Sequence, residues 1–469
     1  MKEKNKKPGF RRIALGMAGF VIVIAAGISL AVFTGQKKET EEPAMPQEAQ
    51  SVTHDSMDEK EESKSALPQE KQEIILWTMQ ATPILKECVG NFNNGDHGYR
   101  VVIHECYGEG QNVSWDDALL RMQMALSGST GPDIALLDSL DIKDLTQQGM
   151  LEDLTPYFAG SERIHQEDFL ESVTTSYTND GKWGALPRWI TMQTLWGKPG
   201  IVGDTPGWTV QEMLALAERY PNLSMTGQFA QWEFLTYCTA FVPETFWLEP
   251  NGEAKEDLKE VLEQTMSYPG QIDHSRWDEQ CWQVCQEEVL LTELEVYKLE
   301  TLFYLQELAG EDGLIPIGYP TLDAAPKALL SPVNGLYAIP ANASDKEGAW
   351  TFLELFFAGE LDPRERSGLF YQASGIPTCK RELEEEFQWE LQQWEQQKKE
   401  DMDEEQLAII EEWREELTAM ADVYPSFTDS FLDIIGEESA FYFEGVKTLE
   451  ETLRVIENRG SLYFQENAD

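Results

Sequence analysis

From residue 73 onward, short apolar runs alternate with stretches whose apolar positions recur at helical spacing. EIILWTM (73–79) is a continuous apolar run of strand length, and YRVVIHECY (99–107) and DIALLD (133–138) are two more. Between them, ATPILKECVGNFNN repeats Ile84, Leu85, Val89 and Phe92 on one helical face. Asp116 to Ser127 carries Leu119, Leu120, Met122, Met124 and Leu126, and Ile142 to Gln148 reads as a short helix. Strand–helix–strand alternation predicts an α/β domain with a parallel sheet covered on both faces. Ligands bind such sheets beyond the carboxyl ends of the strands, which here are Trp77–Gln80, Tyr107–Gln111 and Asp138–Leu140.

After WGALPRWITMQTLW (183–196) the pattern becomes mostly helical. GWTVQEMLALAERYP (207–221), LKEVLEQTMSY, the stretch Cys281–Leu308 and residues 348–358 all read as helices. Segment 381–418 holds 15 acids against four bases, with Phe387, Trp389, Leu391, Trp394, Leu407, Ile409, Ile410 and Trp413 interspersed. That pattern predicts amphipathic helices with one acidic, solvated face.

The amino-terminal region differs in kind. Residues 13–34 contain no charge and as a helix span ~33 Å, enough for a bilayer core. Lys2, Lys4, Lys6, Lys7, Arg11 and Arg12 precede them, which keeps residues 1–12 in the cytoplasm and sends the remainder outside. A signal peptide has the same layout with a shorter core, and Ser29–Leu30–Ala31 offers an imperfect cleavage signature. Residues 35–72 are rich in Glu, Lys, Ser and Gln, with Pro43, Pro46 and Pro68; residues 36–72 hold no aromatic. They are expected to be a disordered acidic linker with a reach of ~35 Å.

Composition narrows the choice of function. A net charge of −48 repels phosphate backbones, so no nucleic-acid partner is expected. Cys88, Cys106, Cys238, Cys281, Cys285 and Cys379 form no C-x-x-C pair and read as buried free thiols, although an outward location leaves room for one disulfide. Cys281 and Cys285 lie four apart but lack a second pair to complete a metal site. The five histidines (54, 97, 104, 165 and 274) show no ligand spacing, so neither metal nor cofactor is called for. There is no G-x-S-x-G, H-E-x-x-H or P-loop, and Gly108-Glu109-Gly110 lacks the third glycine of a dinucleotide loop. An exported glycosidase with paired carboxylates is the enzymatic alternative, but among 84 acids close pairs arise by composition alone.

Several segments resemble extracellular solute-binding protein family 1, the receptors of carbohydrate ABC importers. The most specific is 439–466, with Tyr442-Phe443, Gly445, Lys447-Thr448, Glu457-Asn458-Arg459 and Tyr463. There Thr448 and Glu451 form a capping box ahead of a stripe of Leu449, Leu453 and Ile456. FNN (92–94), GPDIALLD…LTQQGMLEDLTPYF (131–158), DGKWGALP (180–187), PIGYPTLDA (316–324), NGLYAIPANASDKEGAWTFLELFF (334–357) and SGIPTCKRELEE (374–385) follow in the family's order. Two features depart from it. No lipobox cysteine follows the apolar run, so any anchor is the helix itself, retained and not cleaved as a signal peptide, and LWGKPGIVGDTPGWT stands where relatives carry a Tyr-Asn-Lys-Asp phrase.

The resemblance implies a two-lobed, type II periplasmic-binding-protein-like fold behind an N-terminal transmembrane helix. Lobe 1 is expected over 73–187 and 318–360, and lobe 2 over 188–317 and 361–469. It implies a non-enzymatic receptor on the outer face of a Gram-positive-type cell membrane, closing on a sugar or oligosaccharide and delivering it to ABC importer permease subunits. The missing lipobox keeps a second role open, that of an anchored sensor domain presenting solute to a kinase. Sugar recognition needs aromatic faces and paired hydrogen-bonding groups. On the strand-end rule and the matched segments, Trp77, Tyr107, Trp189 and Trp232 are stacking candidates. Glu109, Asp138 and Asn334 are hydrogen-bonding candidates. Arg188 is placed either to pair with an anionic ligand group or to pair with an acid of the other lobe.

Overall fold

The computed structural model describes residues 71–108, 113–137, 140, 142–179, 181–226, 231–242, 253–268, 270, 277–310, 313–363, 375–399, 401–423 and 431–466. All lie in the compact unit Pro68–Asp469. The apolar stretch 13–34 and nearly all of the 35–72 linker fall outside the described residues, and among those described no helix is long and apolar enough to cross a membrane.

The first pass of the chain builds one sheet. In β1 (Gln72–Thr78), Ile74, Leu76 and Thr78 alternate inward. α1 (Pro83–Asn94) starts where the Thr82 hydroxyl accepts the Leu85 N–H and Pro83 presets the first turn; it buries Ile84, Leu85, Cys88, Val89 and Phe92. β2 (Tyr99–Glu105), α2 (Trp115–Ser127), β3 (Ile134–Leu137), α3 (Ile142–Gln147), α4 (Thr155–Gly160) and α5 (Glu171–Ser176) follow, then a small ribbon of β4 (Thr178–Asn179) and β5 (Lys182–Trp183). β1 lies parallel to both β2 and β3, as the apolar runs predict.

The chain then crosses. Leu186 still bridges Tyr337 in the first sheet, whereas β6 (Trp189–Gly197) is the spine of a second. α6 (Pro199–Val202), α7 (Val210–Arg219), α8 (Gln231–Ala240), α9 (Glu253–Thr265) and α10 (Trp277–Cys285) lead to β7 (Leu291–Val296), which runs antiparallel to β6. This strand corrects the helical reading of Cys281–Leu308. α11 (Glu300–Ala309), β8 (Ile315–Pro316) and β9 (Ala328–Val333) continue the lobe, and β9 pairs with the other edge of β6. The return crossing expected at 318 therefore lies later, at Asn334–Gly335, because pairing with β6 holds the chain in lobe 2 through Val333. Leu186 faces Tyr337 and Trp189 faces Val333, so two residues oppose three between those pairs. Asn334 (φ 62) and Gly335 (φ 83) absorb the extra residue in the left-handed region.

β10 (Leu336–Ala338) rejoins the first sheet beside β3, giving the order β10-β3-β1-β2, and α12 (Lys346–Phe357) packs on it. β11 (Ile376–Pro377) returns to β6, followed by α13 (Lys380–Lys398), α14 (Glu404–Met420), β12 (Ala421–Val423, parallel to β9), α15 (Phe431–Phe443) and α16 (Leu449–Glu466). The Thr448–Glu451 capping box is present: each side chain accepts the other's backbone N–H, at 3.2 and 3.0 Å. Glu438 of α15 is buried between Lys447 and Arg459, which ties the α15–α16 hairpin together. One apolar cluster runs from the first sheet through the junction to one face of the second; another fills the opposite face under α7, α8, α9, α15 and α16.

Candidate functional site

The crossings meet at the carboxyl edge of the first sheet. Leu336 of β10 lies opposite Leu137, the last residue of β3, so Asn334 arrives at that edge. The β1–β2 ladder continues there past both strands: Cys106 N–H donates to Thr78 O (2.8 Å) and Tyr107 N–H to Met79 O (2.9 Å). The Tyr107 ring emerges into solvent at this point and meets Trp115 edge-on, with ring centroids 5.5 Å apart. Ser114 caps α2 by accepting the Asp117 N–H (3.1 Å), which starts the helix one residue before the predicted Asp116 and brings Trp115 beside Tyr107. The sequence reading missed Trp115; the cap at Ser114 was the signal that could have found it. The exposed Tyr107 ring and the half-buried Trp115 ring together form an aromatic ledge, suited to the C–H faces of a flat ligand.

The other candidates divide. Glu109 and Asp138 lie outside the described residues. Trp77 is half-buried on β1, and its ring lies 4.7 Å from that of His104, its register partner on β2. Asn334 occupies the crossing, half-buried. Trp232 belongs to another neighbourhood: on α8 its ring meets Gly436 of α15, where a β-carbon would come to 2.4 Å from Cζ3 and 2.5 Å from Cη2. It lines a shallow depression there with Thr236, Thr239 and Asp433.

Arg188 and Trp189 depart from the expectation of ligand contact. Trp189 is 1% exposed and packs edge-on against Phe356 (5.7 Å). Arg188 is 2% exposed, and its Nη2 donates to Asp362 Oδ2 (2.7 Å) and Glu382 Oε1 (3.3 Å). Burial alone would lower the guanidinium's proton affinity, but Glu382 and Asp362 outweigh it and hold the group charged. Burial pushes the neighbouring Cys88 thiol up to about 12, so it stays protonated and unreactive. Both Arg188 and Trp189 are buried side chains of the junction.

Two further carboxyls are perturbed. Glu293 on β7 accepts the Tyr319 hydroxyl at 2.5 Å, and burial pushes it up to about 7. Glu390 on α13 accepts the Glu300 N–H at 2.6 Å, and burial, with Glu386 beside it, pushes it up to about 8. Both are interior groups, Glu390 only 3% exposed. Among the described residues no group of three or more His, Cys, Asp or Glu could hold a metal ion; Cys281 and Cys285 are half-buried thiols.

No family model matches the chain, and neither does any curated protein. Solved structures match it in fold. The sugar-binding protein MalE from the phytopathogen Xanthomonas citri aligns with a TM-score of 0.54 at 12% identity, over 85% of this chain and 98% of that one. A periplasmic oligogalacturonide binding protein from Yersinia enterocolitica gives 0.52 at 15% identity, over 84% and 99%. The ABC substrate-binding protein Lmo0181 from Listeria monocytogenes, in complex with cycloalternan, gives 0.50 at 14% identity, over 84% and 100%. At these identities the likeness is one of fold: the two-lobed α/β architecture of those proteins.

Proposed function

We propose that this chain is a non-enzymatic receptor that encloses a saccharide between its lobes and delivers it to an ABC importer. The observation that carries this reading is the meeting of the crossings at the carboxyl edge of the first sheet, the same edge at which the Tyr107–Trp115 ledge stands at the end of β2. The fold neighbours support the ligand class: MalE is a sugar-binding protein, and Lmo0181 is an ABC substrate-binding protein in complex with cycloalternan. Closure brings both lobes against a ligand that the open form touches on one side only, so ligand shifts a pre-existing equilibrium toward the closed form. Within this reading, residues 13–34 hold the chain on the outer membrane face and the segment from 35 up to Lys71, which is already bonded to the body, tethers the body to it.

The test is a thermal-shift screen of the unit Pro68–Asp469 against mono- and oligosaccharides. A true ligand at a hundredfold excess over its dissociation constant adds about 2.7 kcal/mol of stability, which raises Tm by several degrees. Tyr107→Ala then weakens that ligand roughly tenfold, in line with ~1.4 kcal/mol per decade, and leaves the ligand-free Tm nearly unchanged because the ring is exposed. A panel that includes amino acids and anions and yields no shift with any saccharide rejects the proposal.

A further inference from the structure

We infer that Arg188 is a positioning residue: it forms the pivot about which the two lobes turn and sets their resting angle without touching ligand. It lies on the first crossing, between Leu186, which bridges lobe 1 at Tyr337, and Trp189, which pairs with Val333 of lobe 2. Two acids from separate segments meet on it, and the second, Glu382, begins a helix that β11 ties to lobe 2 while residues at its start also bond lobe 1: the Leu170 N–H donates to Thr378 O (2.9 Å) and Arg381 Nη2 donates to Ala358 O (2.8 Å). Asp362 follows α12 of lobe 1 and is moored there because the Leu361 carbonyl accepts the Asn91 amide of α1 at 2.9 Å. Glu382 stands in the first turn of α13, directly after β11 has returned to β6. Each lobe gives it one ring: Phe356 of α12 and Trp189 of β6, each centroid 4.5 Å from the guanidinium carbon.

The geometry is that of a ball joint more than a clamp. The ion pairs to both acids converge on one nitrogen: Nη2 lies 2.6 Å from Asp362 Oδ1 and 3.3 Å from Glu382 Oε1. A two-nitrogen fork fixes orientation, whereas contact through one nitrogen tolerates rotation, as do flat ring faces. Gly359 keeps the joint open. Its φ is 72°, and a β-carbon there would meet Glu382 Oε1 at 2.1 Å and push that acid away from Arg188. The adjoining bulge at Asn334–Gly335 gives the return crossing its own soft point. The inference rests on the two-lobed reading and on no ligand.

The test measures the lobes directly in the full, ligand-free chain. Spin labels are placed through unnatural amino acids at Met124 in lobe 1 and Val446 in lobe 2, both well exposed, and the distance distribution between them is recorded. Removing Arg188 alone strands the buried Glu382 and the half-buried Asp362 and risks unfolding, so the informative variant is the neutral triple Arg188→Met, Asp362→Asn, Glu382→Gln, of similar volume. The expected result is a folded protein whose inter-label distribution is at least twice as wide as that of the parent. Arg188→Lys, a point charge that serves both acids from one atom, keeps the width within about 1.3-fold of the parent. A folded triple variant with the parental distribution overturns the inference. So does an Arg188→Lys variant as broad as the triple, because that outcome makes the residue an oriented fork. A loss of Tm with unchanged distances marks Arg188 as ordinary packing and also rejects the pivot. A failed saccharide screen leaves this measurement unaffected.

Discussion

Asp133→Ala lowers the stability of the folded unit by about 3–5 kcal/mol, the largest effect expected of a single substitution in lobe 1. Asp133 is 2% exposed at the entry to β3. Its Oδ2 accepts the Ile75 N–H of β1 at 2.9 Å. Its Oδ1 accepts the Ser344 N–H (3.0 Å), the Ser344 hydroxyl (2.7 Å) and the Asp345 N–H (2.9 Å). One carboxylate thus joins the central strand to the turn that launches α12, where Asp345 caps the helix by accepting the Gly348 N–H at 2.8 Å. Hydrogen bonds to a charged group contribute about 1.5–3 kcal/mol each, and donors left unpaired in the interior cost about 1–3 kcal/mol. Alanine loses all four bonds and strands three backbone donors, and the sum is cut by whatever water reaches them. Asp133→Asn keeps one acceptor oxygen and costs roughly half as much. Urea unfolding checks this: the midpoint falls while the slope stays constant. A shift below about 1 kcal/mol for Asp133→Ala sinks the account.

The same residue shows why the first sheet is legible in the sequence. Parallel strands buried on both faces are written as continuous apolar runs, and GPDIALLD places the acid just ahead of one of them. The second sheet hides its strands. β7 reads LTELEV, in which two glutamates look like the wet face of a helix. In the fold Glu293 is buried under the Tyr319 hydroxyl, a partner 26 residues away that no local pattern reveals. β8 and β11 are two residues long, and β9 carries Ser331 and Pro332, so neither length nor propensity marks them. The site divides in the same way. Tyr107 and the crossing at Asn334 follow from strand ends and turn chemistry, which are local. Arg188 finds its acids 174 and 194 residues downstream, so sequence can name the pairing only as one of two options. Trp189 adjoins the crossing and so reads as a stacking surface, but Phe356 from α12 already covers it.

Between about pH 5 and pH 8 the folded unit loses stability as pH rises, and Glu390→Gln removes much of that slope. Burial, reinforced by Glu386, raises Glu390 to about 8 from an ordinary 4.5; burial raises Glu293 to about 7, where the Tyr319 and Tyr237 hydroxyls partly offset it; and burial with Glu412 raises the half-buried Glu416 to about 7. In each case the folded state keeps a proton that the unfolded chain releases above about 4.5, so the folded state binds more protons throughout the window. Stability is then fully present below the unfolded value and lost as pH climbs through 7 to 8. Carboxyls held low by partners set the opposite limb. Lys86 holds Glu105 down; at Glu438 burial opposes, but Lys447 and Arg459 prevail. These groups lose their contribution below about pH 4.5. The maximum therefore falls near pH 5. At pH 8 Glu390→Gln raises stability by about 2–4 kcal/mol, since every tenfold change in proton affinity corresponds to about 1.4 kcal/mol and the amide oxygen can still accept the Glu300 N–H. At pH 5 the unfolded carboxyl is only partly ionised, so holding the proton in the fold costs little and the gain falls below about 1 kcal/mol. Thermal unfolding of parent and variant across the window reads both effects. A parent Tm that climbs from pH 5 to pH 8, or a variant that gains equally at both ends, rejects the buried, protonated carboxyl on α13.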